Sequence, residues 1–199
     1  MNLLLATRNA HKTTEFAQIL GGEFIVSDLR SLPDALETEE TGNTFEENAM
    51  RKAVAASRLT KMLVVADDSG LEVEALGGAP GIRSARYAGE NATDAENVAK
   101  LLAKLDSVGD ASEAKARFYC ALAIARHGEA ICTVAGEVRG KIIRQARGNN
   151  GFGYDPVFVP EGFEETFAAL PVETKNAISH RARAIAALRN YLQQLAAKA

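Results

Sequence analysis

Two adjacent aspartates close an apolar run, Leu63-Val64-Val65-Ala66-Asp67-Asp68-Ser69-Gly70. The run reads as a buried strand, and Asp-Asp-Ser-Gly reads as its end. Carboxylates at the C-terminal edge of such a strand stand where open α/β sheets bind ligands. Side by side, two like charges need a cation or a proton to coexist. Hard oxygen donors suit Mg²⁺ or Mn²⁺, and Mg²⁺ usually works with one or two carboxylates plus substrate phosphates. A solvated strand-to-turn junction has the same composition, so the rest of the chain must decide.

Two expected helix starts carry cations where the helix dipole disfavours them. Arg8, His11 and Lys12 crowd the first; His180, Arg181 and Arg183 crowd the last. An anion bound there would reverse the penalty, because free backbone amides and cations would then act together. Long side chains extending into water are the plainer account, but two such starts beside a paired carboxylate favour a polyanion pocket, with phosphate plus metal as the simplest ligand. A third constellation is Asn149-Asn150-Gly151-Phe152-Gly153-Tyr154-Asp155-Pro156. Its glycines allow close approach, and Phe152 could stack on a base or serve as a core aromatic in a turn. In Gly77 to Tyr87, glycines and Pro80 shape a loop, and Arg83 and Arg86 face either phosphate or solvent.

The elements that must position these residues follow from periodicity. Leu3 to Ala6 and Phe24 to Val26 read as strands, and Thr13 to Leu20 as a helix stopped by Gly21-Gly22. Ser27 to Asn43, with Pro33, Glu37, Glu39 and Glu40, reads as a long surface connection. Thr44 with Glu47, and Thr93 with Glu96, read as capping boxes opening two helices. Phe45, Ala49, Ala53 and Ala56 form the buried stripe of the first, and Val98, Leu101, Leu102 and Leu105 that of the second. Asp106 to Ala114 reads as a loop. Arg117 to Ala125, Ala130 to Val138 and Lys141 to Arg144 read as three meandering strands, followed by a short strand at Val157 to Val159. Ser179 to Ala197 reads as a long terminal helix with Ile185, Leu188, Leu192 and Leu195 on one side. Strands and helices at both ends with a β-rich middle predict an α/β fold, a mixed sheet with a central cleft.

Composition narrows the function classes. With 199 residues the chain suits one two-lobed domain or two small ones, and it can bury a core without staples. The net charge of −3 argues against a dedicated nucleic-acid binder. Cys120 and Cys132 lie in apolar runs without metal spacing and are expected to be buried and reduced. No signal peptide and no apolar run of membrane-spanning length is apparent, so a soluble, cytoplasmic protein is expected.

Taken in order, these pieces resemble the inosine triphosphate pyrophosphatases, the family that removes non-canonical purine nucleoside triphosphates. The resemblance runs through Leu5-Ala6-Thr7-Arg8-Asn9 with Lys12, Glu39-Glu40-Thr41-Gly42 with Thr44-Phe45 and Glu47-Asn48-Ala49, and Ala66-Asp67-Asp68-Ser69-Gly70-Leu71. It continues through Gly77-Gly78-Ala79-Pro80-Gly81 with Ser84-Ala85-Arg86-Tyr87, Gly151-Phe152-Gly153-Tyr154-Asp155-Pro156, and Lys175 with Ser179-His180-Arg181. Arg8 departs from the family, which more often has glycine or a small residue there. The resemblance implies a single two-lobed domain over residues 1–199, an elongated α/β fold with a mixed sheet and a deep active-site cleft. It implies Mg²⁺-dependent hydrolysis of ITP, dITP and XTP to the monophosphate and pyrophosphate, cleansing the nucleotide pool, in a homodimer. The triphosphate site carries over to Thr7, Arg8, Asn9, Ala10, His11, Lys12 and Ser69. The metal ligands carry over to Glu40, Asp67 and Asp68, with Asp68 the proton acceptor and Mn²⁺ an alternative to Mg²⁺. The base site carries over to Phe152, Gly153, Tyr154, Asp155, Lys175, His180 and Arg181.

A donor aimed at the 6-oxo group of inosine or xanthine would be left facing the amino group of adenine, a mismatch worth roughly 10⁴-fold. His180, Arg181, Lys175 or amides near Phe152 could supply that donor; what disfavours guanine has no named residue. Two other readings stand beside this one: a related nucleotide pyrophosphatase with a different base preference, and a nucleotide-binding module without turnover. The Glu40, Asp67, Asp68 and Lys12 set speaks against the second.

Overall fold

The computed structural model describes residues 1–32, 35, 38–108 and 114–196. Pro33 and Glu37 of the expected long connection, part of the expected loop after Asp106, and the Leu195 side chain and Ala197 of the expected last helix lie outside them. The described strands are β1 (Asn2–Leu5), β2 (Ile25–Asp28), β3 (Leu63–Val73), β4 (Ala114–Arg126), β5 (Glu129–Ile142) and β6 (Phe158–Pro160). They form one mixed sheet in the order β2-β1-β3-β4-β5-β6. β1 runs parallel to both β2 and β3, and β6 is antiparallel to β5. The helices are α1 (Ala10–Leu20), α2 (Phe45–Ser57), α3 (Asp94–Ser107), α4 (Val172–Ile178) and α5 (His180–Ala196).

The chain divides into two compact units. The first holds Met1–Asp68, Cys120–Gly136 and His180–Ala199, and the second Ser69–Tyr119 and Glu137–Ser179. Each has its own apolar core. In the first, Leu3, Leu5, Phe16, Leu20, Val65, Leu122, Ile124, Ile185, Leu188 and Leu192 pack together. In the second, Leu71, Val73, Leu101, Leu105, Phe118, Val138, Phe158 and Phe167 do so, with the Phe118 and Phe158 rings edge to face at 4.7 Å.

Four expectations change. β3 does not end at the aspartates; it runs through Asp67-Asp68-Ser69-Gly70 to Val73. Leu71 and Val73 are fully buried, and the burial of these apolar side chains carries the strand past its polar stretch. The expected strands Ala130 to Val138 and Lys141 to Arg144 are one strand, β5, because Gly140 pairs with Pro160 of β6 and does not interrupt it. α4, unmarked by any apolar period in so short a segment, precedes α5. The first capping box is half made: Thr44 Oγ1 accepts from the Glu47 amide, but the Glu47 carboxylate reaches the Asn43 amide instead of the Thr44 amide. The Thr93–Glu96 box is complete.

Candidate active site

Successive side chains of a strand point to opposite faces, and this decides the fate of the two aspartates. They are not a shared carboxylate pair. Asp67 Oδ1 meets Lys12 Nζ at 2.5 Å, and its Oδ2 accepts from Arg181 Nε at 3.0 Å and from the Cys120 thiol at 3.3 Å. Arg181 donates onward from Nη1 to Glu15 Oε2 at 2.5 Å. Burial alone would raise the Asp67 pKa, but Arg181 and Lys12 outweigh it and hold the carboxyl well below its usual range. Burial likewise works against the Arg181 guanidinium, and Asp67 and Glu15 keep it charged. Of the cations at the start of α5, Arg181 therefore has internal partners in Asp67 and Glu15, and the expected reversal by a bound anion is not needed to explain it.

Asp68 stands in the opposite environment. Its Oδ1 accepts from Lys52 Nζ at 2.7 Å; its Oδ2 is buried with no hydrogen-bond partner among the described residues. The same ammonium reaches Glu40 Oε1 at 3.0 Å and the Asp67 carbonyl at 2.8 Å. Burial pushes the Asp68 carboxyl up to about 6, with Lys52 opposing and the Glu40 carboxylate adding to the rise. Burial also opposes the Lys52 charge, but Asp68 and Glu40 outweigh it and the ammonium is held above its ordinary pKa. Three oxygens thus converge on one cation, two of them from carboxylates. That donor set fits Mg²⁺, which takes one or two carboxylates and completes its sphere with water and substrate phosphates. Among the described residues no group of three or more His, Cys, Asp or Glu is arranged to hold a metal ion. Glu40 and Asp68 fit the ion; the Asp67 carboxylate is already held by two cations.

The start of α1 is built differently from the expected cluster of free amides. Asn9 caps the helix, and its Oδ1 accepts from the His11 and Lys12 amides at 2.9 and 3.3 Å. Thr7 Oγ1 accepts from the Asn9 amide at 3.1 Å. Ala10 and His11 are exposed, as is Arg8, whose Nη2 donates to the Ala35 carbonyl at 2.6 Å. An anion arriving here would compete with Asn9 for the amides.

In the second unit the aromatic loop and α4 converge. Lys175 Nζ donates to Asp155 Oδ2 at 2.7 Å, and both side chains are almost fully buried. The Phe152 amide donates to the same oxygen at 2.9 Å, and Lys175 Nζ stands 5.2 Å from the Phe152 ring centre. Gly151 has φ +77°, and a Cβ there would strike the Asp155 carboxylate, so the loop needs glycine at this point. The Gly153 amide donates to Asp94 Oδ2 at 2.7 Å. The Tyr154 hydroxyl donates to the Ser84 carbonyl at 2.9 Å. Ser84 Oγ accepts from the Leu71 amide and donates to the Gly81 carbonyl, so Gly77 to Tyr87 is a braced connection. Ser69 is half-buried in β3. Of the residues expected at one base site, Phe152 to Asp155 and Lys175 belong to the second unit, and the buried His180 and Arg181 to the first.

Lys52 and Glu15 were not among the expected site residues. A signal for Lys52 was present: Phe45, Asn48, Ala49, Lys52, Ala53 and Ala56 follow helical spacing, so Lys52 and Asn48 interrupt the buried stripe of α2. Arg181 sits in the same relation to Ala184, Ile185 and Leu188 on α5.

The chain matches the model of the Ham1 family over residues 3–191. It is 49% identical over 191 residues to a dITP/XTP pyrophosphatase of Geobacter sulfurreducens, covering 96% of each chain. It is 50% identical over 187 residues to a dITP/XTP pyrophosphatase of Geobacillus kaustophilus, covering 94% of this chain and 91% of the relative. A solved Ham1 protein from Coxiella burnetii is similar at a TM-score of 0.87 and 39% identity, over 98% of this chain and 99% of that one.

Proposed function

The chain belongs to the Ham1 family, and on that footing we propose that it hydrolyses ITP, dITP and XTP to the monophosphate and pyrophosphate. The relatives' names support a nucleoside triphosphate pyrophosphatase of non-canonical purines. Glu40 and Asp68 would hold Mg²⁺. That ion would polarise phosphoryl oxygens and lower the pKa of a nearby water.

The single observation that carries the chemical assignment is the convergence of Glu40 and Asp68 on the Lys52 ammonium. Asp68 is suited to accept a proton: its Oδ2 is buried with no hydrogen-bond partner among the described residues. Lys52 draws the two carboxylates together before the ion arrives and adds positive charge where phosphate charge develops. Asp67 serves as an anchor: it fixes the Lys12 ammonium and the Arg181 guanidinium by charge-assisted bonds. Phe152 offers a flat apolar face for a purine. The Lys175 ammonium stands beside the Phe152 ring; an ammonium donor suits a 6-oxo group, and an exocyclic amine there would leave donor facing donor.

The test is pyrophosphate release from ITP, dITP, XTP, GTP, ATP and dUTP, each with Mg²⁺ and with chelator. The proposal expects release from the first three, much slower release from ATP and GTP, and none after chelation. Faster turnover of dUTP than of ITP would move the base preference elsewhere, and binding of ITP without pyrophosphate would make the chain a binding module.

A further inference from the structure

The segment Glu40 to Asn43 is held by α2 residue by residue. Lys52 bonds Glu40 at 3.0 Å, Arg51 Nη1 bonds Thr41 Oγ1 at 3.0 Å, Asn48 Oδ1 accepts from the Gly42 amide at 2.8 Å, and Glu47 Oε2 accepts from the Asn43 amide at 2.7 Å. These contacts are not equal. Those of Arg51 and Glu47 are exposed, where competition with water leaves them weak. The Asn48–Gly42 bond is buried, and Asn48 is fully enclosed. Gly42 is shaped to this contact: a Cβ on it would lie 2.7 Å from Asn48 Oδ1 and 2.8 Å from Glu47 Cβ.

Asn48 is also a poor choice for stability alone. Its Nδ2 is buried with no hydrogen-bond partner among the described residues, and a stranded donor costs as much as a neutral hydrogen bond returns, or more. It occupies a core-facing position of α2, between Phe45 and Ala49 on one side and Lys52 on the next turn, where an apolar residue would be the ordinary occupant. What such a residue contributes is the contact its oxygen makes. What it holds is the backbone two residues from Glu40.

We propose that Asn48 is the positioning residue of the cation site: by fixing the Gly42 amide it presents the Glu40 carboxylate beside Asp68. The proposal rests on the assignment of Glu40 and Asp68 to a divalent cation made above. Lys52 alone does not secure Glu40, since its ammonium is the group that an arriving cation would compete with for both carboxylates. The loop must therefore be fixed by contacts that do not involve the carboxylate, and of the three such contacts named above the Asn48–Gly42 bond is buried and the other two are exposed.

The experiment measures Mn²⁺ binding to the full chain by electron paramagnetic resonance, without nucleotide, for wild type, Asn48→Ala, Gly42→Ala and the double variant, with Glu40→Gln as reference. Melting curves report folding. Asn48→Ala is expected to weaken Mn²⁺ binding about tenfold. Gly42→Ala, which leaves Asn48 in the core and breaks the contact from the loop side, is expected to do the same. The double variant is expected to be no worse than the weaker single, because both act on one contact. Asn48→Ala or Gly42→Ala protein that is folded and binds Mn²⁺ as wild type does would overturn the proposal, even if its melting temperature fell. Wild type that binds no Mn²⁺ would overturn the cation assignment and this proposal with it. Wild type that binds Mn²⁺ but releases no pyrophosphate from ITP would overturn the proposed function while the role of Asn48 is decided by the variants.

Discussion

Asp67 and Asp68 are neighbours with opposite electrostatic fates, and substitution should expose the difference. Asp67 is held below its ordinary pKa by Arg181 and Lys12. Its stabilising contribution is present above the unfolded value of 3.8 and lost as pH falls through the folded value. Asp67→Asn removes one of the two carboxylates that hold the buried Arg181 guanidinium, Glu15 remaining, and should cost about 3 kcal/mol. Asp68 is pushed up to about 6. Between the unfolded value of 3.8 and about 6 the folded chain binds the extra proton, so this carboxyl lowers stability as pH rises through that window. Asp68→Asn should therefore stabilise the protein by roughly 1–3 kcal/mol at about pH 7.5 in chelator, and the gain should vanish near pH 4. Urea unfolding at both pH values checks both statements. The sequence shows two aspartates in a row; it does not show that a continuing strand sends them to opposite faces.

Elements place the remaining chemistry. Four of the five described α-helices are legible from apolar period and caps, and two of them carry site residues at positions where a polar side chain interrupts the buried stripe: Asn48 and Lys52 on α2, Arg181 on α5. β3 is legible only up to Ala66, because Asp-Asp-Ser-Gly has the local chemistry of a turn. It stays extended because its polar side chains find partners distant in sequence, Lys12, Lys52 and Arg181. α4 is too short to show a period, yet it brings Lys175 onto Asp155 and over Phe152. If this pair reads the base, Lys175→Met, which keeps the stem and removes the donor, should lower the ratio of kcat/KM for ITP over ATP by at least about tenfold. An unchanged ratio in folded protein would take the base site away from α4.

At the scale of the whole molecule, identity near one half with named dITP/XTP pyrophosphatases over nearly the full length fixes the family. The acidic balance agrees with a small-molecule substrate more than with nucleic acid, and no described helix is long and apolar enough to cross a membrane. A homodimer is expected from the family resemblance, and light scattering at micromolar protein should return twice the chain mass; a monomer mass would count against it. In the proposed hydrolysis Asp68 accepts the proton and Asp67 only supports the site. Turnover of ITP at saturating Mg²⁺ by Asp68→Asn, with a melting curve beside it, tests this most directly. Turnover should fall by at least ~10²-fold in a protein that melts no lower than wild type. A folded Asp68→Asn protein with near wild-type turnover would contradict it.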